Sequence, residues 1–173
     1  MTGAASGRVR CERMTGATRG AARALLAAFL GDDPHYRASE DAYGGRGAAG
    51  LAAALDLFLA RPEIGFVWLA REDDHDRGDP VVGACVCCYA ISTSRGSLVA
   101  KLDDVTVAAG RQGQGIGAAM LHSLMLHLRA AGVTRIDSAC HRENHGAWRF
   151  YERFGFRPLD EERIALVVDA ATP

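Results

Sequence analysis

The chain is predicted to be a single α/β domain, a central sheet flanked by helices. Two observations predict it. Short apolar or alternating runs bounded by turn residues recur as strands, and between them lie longer segments whose apolar residues return at helical spacing. There is no internal repeat and no evident linker, and 173 residues are enough to bury one sizeable core. Residues 1–7 are expected to be a loose N-terminal tail, and residues 8–173 the domain.

Val9 to Met14 reads as the first strand. Ala22, Leu25, Leu26 and Phe29 then recur at i, i+3, i+4 and i+7, one face of a helix with Thr15 as N-cap and Gly31 as its stop. The polar, breaker-rich stretch from Gly31 to Gly47 is a long loop. Leu51, Leu55, Phe58 and Leu59 mark a second helix that ends before Pro62. Gly65 to Arg71 is a strand, and Glu72 to Pro80 a charged hairpin tip. Val81 to Ile91 is apolar on both faces and therefore central in the sheet. Leu98 to Val107 is the next strand. Ile116, Met120, Leu124 and Leu128 form a helical row closed by Gly132. Val133 to Cys140 is strand-like, and a helix from Asn144 to Phe154 carries Ala147, Phe150, Tyr151 and Phe154 on one face, with Gly155 at its C′ position. Arg163 to Asp169 is a last strand.

Composition removes several function classes. Apolar residues make up 49% and charged residues 24%, with a net charge of −1, so the broad basic footprint of a nucleic-acid or anionic-membrane binder is missing. No apolar run is long enough to span a bilayer, and the first residues lack the apolar region of a secretory leader. The cysteines, Cys11, Cys85, Cys87, Cys88 and Cys140, are odd in number and unpaired in pattern, as expected of free thiols in a reducing cytoplasm. His141 and His145 are four apart but straddle a loop and a helix start, with no third ligand in view, so no metal is expected.

The chemistry concentrates in GRQGQGIGAAML, Gly110 to Leu121. It is not a nucleotide P-loop, because the only lysine, Lys101, lies upstream. Gly113, Gly115 and Ala118 fit a dinucleotide fingerprint, but too little chain follows for two βαβαβ halves. A longer word reads differently. A strand, then Gln112-x-x-Gly115-x-Gly117, then a helix presents backbone N–H groups that can hold a pyrophosphate without lysine.

LDDVTVAAGRQGQGIGAAML resembles the acetyl-CoA-binding signature of the GNAT superfamily of N-acetyltransferases, [RQ]-x-x-G-x-[GA]. NHGAWRFYERFGF is similar to the superfamily's second motif, matched at Asn144, Ala147, Tyr151, Gly155 and Phe156. The resemblance is sharp over Leu102 to Phe156 and architectural before it. It implies a mixed, largely antiparallel sheet. It also implies transfer of an acetyl group from acetyl-CoA to a primary amine, by direct attack in a ternary complex and without a metal. The pyrophosphate cradle would be Gln112, Gly113, Gln114, Gly115, Ile116, Gly117 and Ala118. Val105 and Val107 would pair with the pantetheine arm, and Asn144 would contact CoA besides capping its helix.

A free alkylamine must lose a proton before attack. Asp103 and Asp104 are the candidate bases, on opposite faces by strand alternation. LDD aligns with the LED of polyamine-acetyltransferase-like members, which favours Asp103. Tyr151 occupies the slot beside the CoA sulfur and would protonate the leaving thiolate. Asp32, Asp33, His35 and Tyr36 lie in the loop that borders the acceptor site in this fold. The resemblance allows a homodimer and leaves the acceptor open among a polyamine, an aminoglycoside, an amino acid and a peptide amine. A CoA-binding sensor of the same fold, or a dinucleotide-dependent oxidoreductase, are the alternative readings.

Overall fold

The computed structural model describes residues 9–32, 44–73, 78 and 80–159. Five strands form one sheet in the order β1 (Val9–Arg13), β2 (Gly65–Glu72), β3 (Val81–Ser92), β4 (Ser97–Val107), β5 (Ile136–Ser138). The first three pairings are antiparallel, and only β4 with β5 is parallel. Among the described residues four helices flank it: α1 (Arg19–Asp32), α2 (Gly47–Ala60), α3 (Ile116–Ala130) and α4 (His145–Glu152). A sequential, mostly antiparallel sheet is not the parallel doubly wound sheet of a dinucleotide-binding fold, so that alternative falls on topology.

Two cores sandwich the sheet. On one face Phe66, Trp68, Cys85, Cys87, Ala100 and Leu102 meet Ile116, Met120, Leu121, Leu124 and Leu128 of α3. Each of these α3 side chains is buried and contributes about 1.5–3 kcal/mol relative to exposure. On the other face Val67, Leu69, Ala84 and Val86 meet Ala22 and Leu26 of α1 and Leu55 of α2. Strand β2 is buried along six consecutive residues because both of its faces are covered.

Several boundaries differ from the sequence reading. Helix α1 begins at Arg19, not after Thr15: the Thr15 N–H donates to Thr18 Oγ1 at 2.9 Å in a turn, and Thr18 O accepts the first helical bond from Ala22 at 3.0 Å. It runs through Gly31, whose cost within a helix of about 1 kcal/mol is not enough to end it. Strand β5 pairs only over Ile136–Ser138, much shorter than Val133 to Cys140. Helix α4 stops at Glu152, and its end is a Schellman turn. Gly155 (φ 85°) donates to Glu152 O, and Phe156 donates to Tyr151 O at 3.2 Å. The proposed last strand, Arg163 to Asp169, lies outside the described residues, as do the tail and the end of the expected 8–173 domain.

Candidate functional site

Strand β4 is where the site is made. Ala84 pairs with Thr106 but Val86 with Asp103, so β4 spends one extra residue against β3, a β-bulge. Asp104 has φ 46°, the one non-glycine residue at positive φ among the described residues. The bulge breaks the alternation expected of the two aspartates: Leu102 and Val105 both join the α3-side core although they are three apart. Asp103 remains on the side of Lys101, whose Nζ donates to Asp103 Oδ2 at 2.8 Å.

The bulge also opens the sheet. Pairing of β4 with β5 ends at Leu102–Ser138, so beyond Leu102 the outer edge of β4 has no partner among the described residues. The Ala108 N–H donates to Val82 O at 2.9 Å on the β3 side. Alternation therefore turns the backbone groups of Val107 and Val105 toward the open edge. Gln112 Nε2 donates to Val107 O at 3.3 Å, which ties the glycine loop to that edge.

The glycine loop folds as its letters require. Gly110, Gly113 and Gly115 have φ of 76°, 74° and 83°, a region that costs other residues about 1–2 kcal/mol. Gly115 is the N-cap of α3, and the Ala119 N–H is the first to reach a helical acceptor, Gly115 O at 2.9 Å. The preceding N–H groups of Ile116, Gly117 and Ala118 stand at the positive end of the α3 dipole, as an anion site needs. A Cβ at Gly117 would meet Phe150 and Val107 at 3.5 Å, so the loop, β4 and α4 converge at that point. Arg111 does not point its charge into this cradle; it pairs with Glu72 at the end of β2.

Asn144 and Tyr151 come from α4. Asn144 Oδ1 accepts from the Ala147 N–H at 3.0 Å, capping the helix and leaving Nδ2 as a donor. The loop before it is pinned at His141 O, which accepts from the Asn144 N–H at 3.0 Å and from Trp148 Nε1 at 3.1 Å. Tyr151 is buried, with its ring 5.1 Å from that of Phe156, the residue just past the Schellman glycine. The Gly155-Phe156 pair thus fixes the tyrosine ring. Burial pushes the phenol up to about 12, partly offset by a hydrogen bond with Ser138, and nearby Cys85, Cys140 and Asp103 raise it further. Tyr151 thus lies at the fork between β4 and β5, within electrostatic reach of Asp103.

A cleft of about 560 Å³ lies beside this fork, between the end of β4, the glycine loop and the start of α4. Thr106, Val107, Gln112 and Asn144 form one wall, and Leu25, Phe29 and Asp32 of α1 the opposite one, with Glu143 near the α4 end. Sequence reasoning missed Thr106, Glu143 and Ser138 altogether. Of the helical face Ala22, Leu25, Leu26 and Phe29, only Ala22 and Leu26 are buried; Leu25 packs against the core and also lines the cleft, as Phe29 does. Asp32 lines the cleft, while Asp33, His35 and Tyr36 fall outside the described residues. Burial raises the Cys85 thiol well above its ordinary value, and that of Cys87 to about 12, which suits packing and not nucleophilic work. No group of three or more His, Cys, Asp or Glu among the described residues is arranged for a metal.

A family model described as acetyltransferase (GNAT) family matches residues 36–156. The chain is 29% identical over 97 residues to an uncharacterised N-acetyltransferase of Methanocaldococcus jannaschii, covering 53% of this chain and 43% of that protein. It therefore spans less than half the length of this curated relative. Among solved structures, a probable acetyltransferase superposes with a TM-score of 0.72 at 20% identity, covering 92% of this chain and 98% of that one. The ribosomal-protein-alanine N-acetyltransferase of Brucella melitensis biovar Abortus 2308 superposes at 0.68 with 15% identity, covering 94% and 100%. These two likenesses speak for the fold. With the family match covering most of the chain, the chain belongs to the acetyltransferase (GNAT) family.

Proposed function

We propose that the protein is an N-acetyltransferase that moves an acetyl group from acetyl-CoA to a primary amine by direct attack in a ternary complex. The observation that carries this is the fork in the sheet. It leaves β4 at Val105 and Val107 without a strand partner on its outer edge among the described residues, beside a buried, protonated Tyr151, with a glycine-bared helix N-terminus at the far end. The residues fit acetyl-CoA: Gln112, Gly113, Gln114, Gly115, Ile116, Gly117 and Ala118 would cradle its pyrophosphate. The edge of β4 would pair with the pantetheine amides, and Asn144 Nδ2 would donate to the arm.

Acetyl-CoA supplies an activated thioester; the chain supplies the proton movements. Asp103 takes a proton from the bound ammonium, directly or through a water, using the oxygen not held by Lys101; the free amine then attacks the thioester carbonyl, and its second proton leaves to solvent as the tetrahedral intermediate collapses to the amide. Tyr151 donates its proton to the departing sulfur as the carbon–sulfur bond breaks, and both groups are restored through solvent. A strand N–H at the open edge, from Val105 or Val107, faces the developing oxyanion. Asp32 and Glu143 on the cleft walls favour a cationic acceptor, and the candidates remain a polyamine, an aminoglycoside, an amino acid or a peptide amine. Five free thiols among the described residues suit a reducing cytoplasm, and no described helix is long and apolar enough to cross a membrane.

The test is a thiol-release screen of primary amines with acetyl-CoA. Release of CoA matched by an acetylated amine supports the enzyme. Tight CoA binding with no release from any amine would instead leave a CoA-binding sensor of the same fold.

A further inference from the structure

As an acid, Tyr151 must give up a proton while it is only 8% exposed. Burial opposes the phenolate, and Cys85, Cys140 and Asp103 oppose it further. One neighbour works the other way: a hydrogen bond with the Ser138 side chain favours the ionised form. The phenol stands at about 12, whereas an ordinary thiol titrates at about 8.5, so transfer to the departing sulfur runs uphill. A donor to the phenolate oxygen eases that step, because a general acid works best when its pKa lies near the operating pH.

Ser138 is placed to be that donor. It is the last residue of β5 and pairs with Leu102 in the final rung before the sheet opens. Asp137 turns to the other face, where it pairs with Arg135 at 2.9 Å. Alternation therefore puts Ser138 on the face of Ile136, which packs against the α3-side core. A hydroxyl on that apolar side needs polar partners, and Leu102 O and Tyr151 supply them. Ser138 Oγ donates to Leu102 O at 3.4 Å and shares a hydrogen bond with Tyr151. A serine hydroxyl carries one proton and two lone pairs. While its proton points at Leu102 O, it accepts from the phenol. Turned about its C–O bond, it donates to the phenolic oxygen and leaves the phenol proton free for the sulfur.

We propose that Ser138 is a positioning residue for the acid step, its hydroxyl turning from Leu102 O to the Tyr151 oxygen as the phenol proton passes to the departing sulfur. This rests on the acetyltransferase reading above. The carbon–sulfur bond breaks, the Tyr151 proton goes to sulfur, and CoA leaves as the free thiol. Ser138 keeps its own proton throughout and only changes acceptor, and the phenolate it holds is reprotonated from solvent. The bond given up, at 3.4 Å, is longer than the usual hydroxyl bond of about 2.7–2.8 Å, so little opposes the turn.

Steady-state kinetics test this, with acetyl-CoA and whichever of spermidine, kanamycin, alanine and an alanyl peptide gives the fastest CoA release. Ser138→Ala is expected to lower kcat about 10- to 100-fold, the worth of a hydrogen bond to a charged group, with KM for acetyl-CoA within about twofold. Ser138→Thr keeps the hydroxyl and should restore most of that rate. In a Tyr151→Phe background, Ser138→Ala should change the residual kcat by less than about twofold, because the oxygen it serves is gone. An unchanged kcat in Ser138→Ala, a Ser138→Thr as slow as Ser138→Ala, or a loss that persists equally in the Tyr151→Phe background overturns the role of Ser138 and leaves the acetyltransferase reading intact. Release of no CoA by the wild type with any of these amines overturns both.

Discussion

Replacing Tyr151 by Phe removes one oxygen from a site whose packing is otherwise kept. The ring contact with Phe156 and the Schellman turn persist, because neither uses the hydroxyl. The structural loss is one hydrogen bond with Ser138, about 1 kcal/mol. The catalytic loss is the proton donor to the leaving sulfur, worth about 10²- to 10⁴-fold in kcat. Affinity for acetyl-CoA should stay within about threefold, since the cradle and the β4 edge are untouched. A stability signature accompanies this. The folded state raises the phenol from 10.0 to about 12, so it holds that proton more tightly than the unfolded chain does. The resulting stabilisation is complete below pH 10 and is lost as pH rises toward 12. At pH 11 the wild type should have lost on the order of 1 kcal/mol more, relative to pH 8, than Tyr151→Phe. Steady-state kinetics, acetyl-CoA titration and urea unfolding at the two pH values measure all three. An unchanged kcat, or a kcat loss matched by equal loss of acetyl-CoA binding, refutes the acid role. Parallel pH–stability curves refute the buried-phenol argument.

Four other outcomes follow from the geometry. Asp103→Asn should lower kcat by about 10²-fold or more with acetyl-CoA binding retained; an unaffected kcat moves the base elsewhere on the bulge. Gly115→Ala forces a Cβ into φ 83° and should cost about 1–2 kcal/mol in thermal unfolding and weaken acetyl-CoA binding; wild-type values for both would remove the glycine argument. Asn144→Asp keeps an acceptor for the Ala147 N–H but loses Nδ2, so stability should hold within about 0.5 kcal/mol while CoA affinity falls; unchanged affinity would confine Asn144 to capping. His127 is partly buried and accepts from Arg13 Nε at 3.2 Å, and burial followed by the Arg13 charge lowers its pKa. Its stabilisation is present above about pH 6.5 and lost on acidification below that, so His127→Gln should flatten the melting-temperature profile between pH 7 and pH 5, and an identical profile would contradict the pairing.

The helices and the second motif were legible because 3.6-residue periodicity and turn chemistry are local. Gly155 reads as a C′ residue from its position alone, and the structure adds why Phe156 follows it. What stayed hidden depends on partners distant in sequence. Val133 to Cys140 has strand letters, but only Ile136–Ser138 finds a ladder, because β4 leaves β5 at the bulge. The bulge itself sits at an aspartate in a left-handed conformation, and nothing in LDD announces that. Thr15 and Thr18 are equally good caps on paper, and a hydrogen bond between them decides which starts the helix. Helical spacing grouped Leu25 and Phe29 with Ala22 and Leu26, since periodicity separates in from out but not core from cleft. Arg111, inside the glycine stretch, pairs with Glu72 at the end of β2, a partner too distant in sequence for local pattern to reveal.

The most direct measurement is a crystal structure with acetyl-CoA bound. Pyrophosphate oxygens on the N–H groups of the Gln112–Ala118 stretch, pantetheine along the open edge at Val105 and Val107, and the thioester sulfur within hydrogen-bond reach of the Tyr151 hydroxyl are expected. Acetyl-CoA seated away from the fork in the sheet, or a sulfur beyond the reach of Tyr151, would contradict the account.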